Sequence, residues 1–307
     1  MSVLDQRYRR WTGQQTPYWQ RILVIPRYDV LEILSRKLWA AFYIISLVPP
    51  ALLGVYTYLA ANWASVGKLV PLLAKVTFPL PGADAWAVVT YGQLWLIVAF
   101  SVLVGPPLAT RDFANNALPL YLSKALGRAE YVLGRWAILL ALLSAASWLP
   151  LSIVFGLEFA LAPSTWRADN AWILGGIFAA TIPCVLLLTA MVSAVAAHVH
   201  RTNLARAALL GLIMMTWPLG KMLEATTRTP MAQVVSPMAM AVRVNVWAFT
   251  PAQTVDERAI LETLAPAAKP ARDTMVPVPL AFAVLVAWFL ACIAVLALRV
   301  RPVEVVK

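Results

Sequence analysis

Six apolar runs separated by polar segments decide what this chain can become. They cover about residues 38–59, 86–109, 136–161, 171–197, 204–220 and 277–298. About 20 consecutive apolar residues are what an α-helix needs to cross the hydrocarbon of a bilayer. In hydrocarbon every backbone N–H and C=O must be satisfied within the segment, so such runs fold as helices. The expected class is an all-α membrane protein with six transmembrane helices. The 204–220 run is the shortest and carries Arg206 near its start, with Lys221 just beyond its end.

Composition agrees where it bears on this. Only 13% of the 307 residues are charged, 61% are apolar, and the mean hydropathy is +0.75. A soluble domain needs roughly a quarter of its residues charged to cover its surface. The 13 Trp and nine Tyr suit the two bilayer interfaces, where amphipathic rings collect. The first long run starts near residue 38 and exceeds the length of a signal-peptide core, so a cleaved leader is not expected. Cys184 and Cys292 lie inside apolar runs and read as core residues, not as a disulfide.

A net charge of +11 invites comparison with nucleic-acid binders, but its placement points to a membrane. Seven Lys and Arg precede the first run, four lie between runs two and three, two flank the start of run five, and three follow run six. The short connections on the other face hold Lys68, Lys75 and Arg167. Basic residues concentrate in short cytoplasmic loops, which places both termini inside, in the cytoplasmic membrane of a bacterium, with lipids and no nucleic acid as partners.

Two segments are more than connections. Residues 1–37 form a cytoplasmic N-terminal segment, in which Leu31, Ile33, Leu34 and Leu38 define one face of an amphipathic helix at the inner interface. Residues 221–276 form an extracytoplasmic segment with an apolar patch, Met231 to Phe249, too short to span. Either a helix dipping back into the membrane or a plain loop satisfies that pattern. Residues 299–307 are a cytoplasmic tail.

Several chemistries lack their residues. There is no P-loop, CxxC, HExxH or nucleophile elbow, so neither catalysis nor a bound metal or cofactor is expected of this chain alone. His198 and His200 are spaced i, i+2, on different faces of a helix, and read as part of a basic loop. Glu158, near the end of run three, is a carboxylate in an otherwise apolar helix, which marks either a functional group or a residue at the headgroup layer. Lys221 is its candidate partner, with snorkelling as the plainer role. Pro150 and Pro183 offer bending points in runs three and four. Gly175, Gly176, Ala179 and Ala180 offer close helix approach, within the chain or between chains.

The connection between runs two and three is the most patterned loop. Asn116, Ala117, Leu118, Tyr121, Leu122, Ser123, Lys124, Leu126, Arg128, Glu130, Tyr131, Leu133 and Gly134 stand at the spacing of a motif found there in the ATP-binding-cassette type-2 permease family. The segment resembles that family, with Ala125 where a proline is usual and Arg135 where a lysine is usual. The resemblance implies the permease subunit of an exporter, a helical bundle with a cytoplasmic coupling helix formed here by Ala117, Leu118, Pro119, Leu120, Tyr121, Leu122 and Ser123. Arg128 and Glu130 would follow it, and Glu32 and Arg36 on the entry helix would face the ATPase. ATP and Mg would be bound by a separate ATPase subunit, present in two copies, and a second permease copy, identical or related, would complete the pathway. A transporter-like membrane anchor or scaffold without transport activity is the alternative, and an intramembrane enzyme or electron-transfer subunit is a more distant one.

Overall fold

The computed structural model describes residues 37–63, 78–114, 128–199, 201–250 and 276–299. Among them every regular element is helical. In chain order these are α1 (Lys37–Ala61), α2 (Ala83–Ala114), α3 (Arg128–Ala145), α4 (Trp148–Leu161), α5 (Ser164–Asn170), α6 (Ile173–His198), α7 (Thr202–Thr227), a 3-10 helix (Pro230–Val235), α8 (Pro237–Ala248) and α9 (Val278–Arg299). Five stretches among the described residues are long and apolar enough to cross a membrane: Trp39–Ala61, Ala83–Leu108, Val132–Leu161, Ser164–His198 and Val278–Leu298. The chain is an all-α, multi-pass membrane protein. The expected fifth run lies within α7, which is 26 residues long but is not one of those five.

The core is built around α6, which packs against α2, α3, α4, α7, α8 and α9. Sixty-one per cent of the most apolar window of its span is buried, against 28% for α1 and for α9, so these two form the outside of the bundle. Exposed Ile44, Leu52, Val55, Val286, Leu290 and Leu298 on those outer helices make sense against lipid, where apolar surface carries no hydration cost.

The spans differ from their sequence-read limits for physical reasons. The second span, read as ending near residue 109, is the apolar stretch Ala83–Leu108, and the helix α2 itself runs past Pro106 and Pro107 to Ala114. A proline removes one i→i−4 hydrogen bond but breaks a helix only if the freed carbonyl finds no other donor. The third span is two helices, because the chain turns at Ala146-Ser147 ahead of Pro150. Pro183 sits inside the continuous α6.

Beyond α7 the chain doubles back. Gly220 faces Cα of Gln233 and Cβ of Ser236, so the 3-10 helix runs back along the last turns of α7. Helix α8 then returns. Ser236 caps it, its hydroxyl accepting from the Ala239 N–H at 3.2 Å, and Pro237 occupies the first turn, where no N–H is needed. Met238, Met240, Val244 and Val246 are buried where α8 meets α6 and α9, and Trp247 stacks edge-on against Phe282 at 5.7 Å. The patch Met231 to Phe249 is therefore a turn and a helix packed into the bundle.

Candidate functional site

Two regions carry polar chemistry inside this apolar bundle. The first is the end where α2 stops and α3 begins. The missing N–H of Pro107 frees the carbonyl of Leu103, and Arg206 of α7 donates to it twice, from Nε at 3.2 Å and Nη2 at 2.9 Å. One turn further on, the Thr110 hydroxyl donates to Pro106 O at 2.8 Å and pairs with the Thr202 hydroxyl at 2.9 Å. On the other side Gly105 lies against α6, where an added Cβ would fall 2.6 Å from Cγ1 of Val192. The end of α2 is thus fastened to α6 and α7 immediately before the loop.

The loop's expected coupling residues, Ala117 through Ser123, lie outside the described residues, as do Glu32, Arg36 and His200. Arg128 and Glu130 fall in the first turn of α3. His198 ends α6 with its ring Nδ1 at 3.0 Å from Ala194 O. Among the described residues no group of three or more His, Cys, Asp or Glu side chains gathers to hold a metal ion. Cys184 and Cys292 are free, buried thiols.

The second region lies between α1, α2 and α4. Gln93, fully buried on α2, donates from its amide nitrogen to two carbonyls: Ser46 O on α1 at 2.8 Å, and Ala146 O ahead of α4. Both acceptors stand four residues before a proline, Pro50 and Pro150, which is why they are unbonded within their own helices. A single amide thus restores a bond in each of two proline-interrupted spans.

Nearer the opposite end of the bundle from the loop, the Trp86 indole N–H donates to Glu158 Oε2 at 2.8 Å. Glu158 is fully buried, in a setting that includes Phe155, whose ring meets Trp86 edge-on at 5.8 Å. Protein encloses it, and it does not meet Lys221. That lysine pairs with Glu224 on its own helix at 3.1 Å, and Glu224 also accepts from Gln233 at 2.7 Å. Lys221 therefore helps tie the 3-10 helix to α7, with its own side chain largely in the open.

Close helix approach also resolves to particular residues. Gly176 faces α8 within the chain, and Ala180 is buried, while Gly175 is exposed with open space around it. The sequence reading missed Gln93, Trp86 and the bonding role of Arg206. A usable signal was present for Gln93, a lone amide in an uncharged apolar run, which in hydrocarbon demands partners. Compared with protein-family models and with curated proteins, the chain matches none.

Proposed function

We propose that this chain is the permease subunit of an ATP-driven transporter, an exporter, whose separate ATPase docks on the loop between α2 and α3. The observation that carries the reading is the motif from Asn116 to Gly134, which resembles the coupling segment of ATP-binding-cassette type-2 permeases. The bundle supports it. A loop that transmits force needs rigid roots, and α2 enters this one fastened by Arg206, Thr110 and Gly105. The bend at Ala146-Ser147 offers a place for the following span to flex.

In this reading α7 is the fifth of six spans. Its stretch from Ala207 to Gly220 is uncharged, Leu209 and Ile213 are fully buried, and Leu210, Met214, Met215 and Leu219 are exposed as a lipid-facing side would be. Six crossings place both termini on the loop's side, which the Lys and Arg distribution makes cytoplasmic. The 3-10 helix and α8 then form a re-entrant pair dipping from the outer face, tolerable because its backbone is buried in protein.

The test is co-purification with an ATPase encoded beside this protein, and measurement of transport-coupled ATP turnover. Replacing Leu118, Tyr121 and Leu122 by charged residues should abolish coupling while the permease still folds. Unchanged association and turnover in that variant would remove the coupling assignment, and a chain that binds an ATPase without stimulating it would be a scaffold.

A further inference from the structure

Two of the spans carry their weak points at one level. Ser46 and Ala146 both give their carbonyls to the Gln93 amide, so α1 and the junction ahead of α4 stand side by side there. Eight residues further along each, Gly54 lies against Val154, whose Cγ2 is 3.5 Å from a Cβ built on the glycine. The two helices therefore run parallel and in register, which brings Pro50 level with Pro150. Pro49 and Pro50 remove two successive donors from α1. Ser147 leaves the helical backbone region between α3 and α4. Across this level the Tyr43 hydroxyl donates to Ala145 O at 3.1 Å. One hinge line thus passes through both spans, pinned by Gln93 and Tyr43.

Beyond the hinge, toward the end away from the α2–α3 loop, α1 packs on α4 and on α2, and α4 also packs on α6. Trp86 precedes Gln93 by seven residues, about 10 Å along α2. Its indole reaches across to α4, where the N–H donates to Glu158 Oε2 at 2.8 Å. The Tyr56 hydroxyl adds an exposed bond to Pro79 O, ahead of α2, at 2.9 Å.

The rest of this seam is unpaired. Thr57 continues the buried stripe of Ser46, Pro50 and Leu53 on α1, spaced i, i+4, i+7, i+11, and Thr90 lies between Trp86 and Gln93 on one face of α2. Both hydroxyls are buried without a hydrogen-bond partner, as is Glu158 Oε1. Every other buried Ser or Thr hydroxyl among the described residues bonds backbone. Thr57 and Thr90 stand at different heights along the seam, so no single ligand answers both, whereas water in an opened seam answers each. The closed seam forgoes bonds that opening restores, which brings the two arrangements closer in free energy.

We propose that α4 and the part of α1 beyond Pro50 form one arm, hinged at Gln93 and latched by the Trp86–Glu158 bond. The arm swings from α2 while α4 keeps its packing on α6, and it opens a water-filled seam at the end of the bundle away from the α2–α3 loop. It stands whether or not the chain is a permease.

The experiment measures distances between paired nitroxide labels on the full chain in lipid nanodiscs, with Cys184 and Cys292 replaced by Ala. Labels at Tyr58→Cys and Val88→Cys span α1 and α2 across the arm's seam, and labels at Ile44→Cys and Ala99→Cys span the same helices on the other side of the hinge; all four residues are exposed. The arm pair should give two distances and the control pair one. Trp86→Phe, which keeps a ring but removes the latch, should raise the longer population at least about threefold. In that variant Thr57→Cys should react with a water-soluble thiol reagent at least about tenfold faster, while Thr189→Cys, buried on α6, should not change. A single arm distance in both proteins, or equal gains at Thr57→Cys and Thr189→Cys, would overturn the proposal. If Trp86→Phe does not fold, the parent chain decides, and one distance at both label pairs overturns it.

Discussion

Gly176 shows how much of this fold hangs on single atoms. A Cβ there would lie 2.6 Å from the Ala248 carbonyl oxygen and 3.2 Å from the Phe249 ring. The oxygen belongs to backbone at the end of α8 and has no rotamer to escape into. Gly176→Ala should therefore push α8 off α6 and destabilise the protein by roughly 1–3 kcal/mol, read as a lower Tm in detergent. Gly175→Ala, with open space around it, is the matched control and should change little. The sequence announced a small-residue run at Gly175, Gly176, Ala179 and Ala180 but not which member mattered. That depends on where α8 sits, and α8 is held by a doubling back that no local pattern encodes. Glu158 was legible as an anomaly for its charge alone, whereas its partner Trp86 lies 72 residues away and was not.

At the scale of the helix, the prolines explain both what was legible and what was not. Each removes a donor in a known place, so the freed carbonyls at Ser46, Leu103 and Ala146 are predictable from sequence. The donors that answer them come from other helices and are not. Hence the run read as ending near residue 109 gave no sign that α2 continues through Pro106 and Pro107 to Ala114, with Arg206 bonded to Leu103 O. A double-mutant cycle tests this. Arg206→Gln should cost roughly 1–3 kcal/mol, the range for orphaning a buried carbonyl. In a Pro107→Ala background, where the residue 107 N–H returns to Leu103 O, that cost should shrink. Pro106→Ala frees no bond that Arg206 makes, and should leave the cost of Arg206→Gln as it was. Thermal unfolding of the four variants and the control measures the coupling.

For the molecule as a whole, hydropathy found the helices because lipid leaves the backbone no other choice. Limits shifted by a few residues, and the third span proved to be two helices. Helix α7 is the ambiguous case: Arg206, Lys221 and Glu224 lower its mean hydropathy while its middle remains uncharged. The count of crossings decides the sidedness of the ends. If α7 crosses, tags after Lys307 and before Met1 should both be shielded from protease in intact cells and both be cleaved in inverted vesicles. If it does not, one tag should be accessible from outside. The coupling loop stands differently, since its reading comes from a motif between Asn116 and Gly134 and its central residues lie outside the described fold.

Gln93 links the histories of two distant prolines. Its amide answers the carbonyls freed by Pro50 and by Pro150, so these three positions constitute one mutational unit spread over 101 residues of sequence. A lineage that lost the amide first would leave two buried carbonyls bare at once. One that first regained a backbone donor at positions 50 and 150 would make the amide dispensable. The order of substitutions is constrained even though each is a single change, and an engineer replacing either proline is also altering what is permitted at position 93.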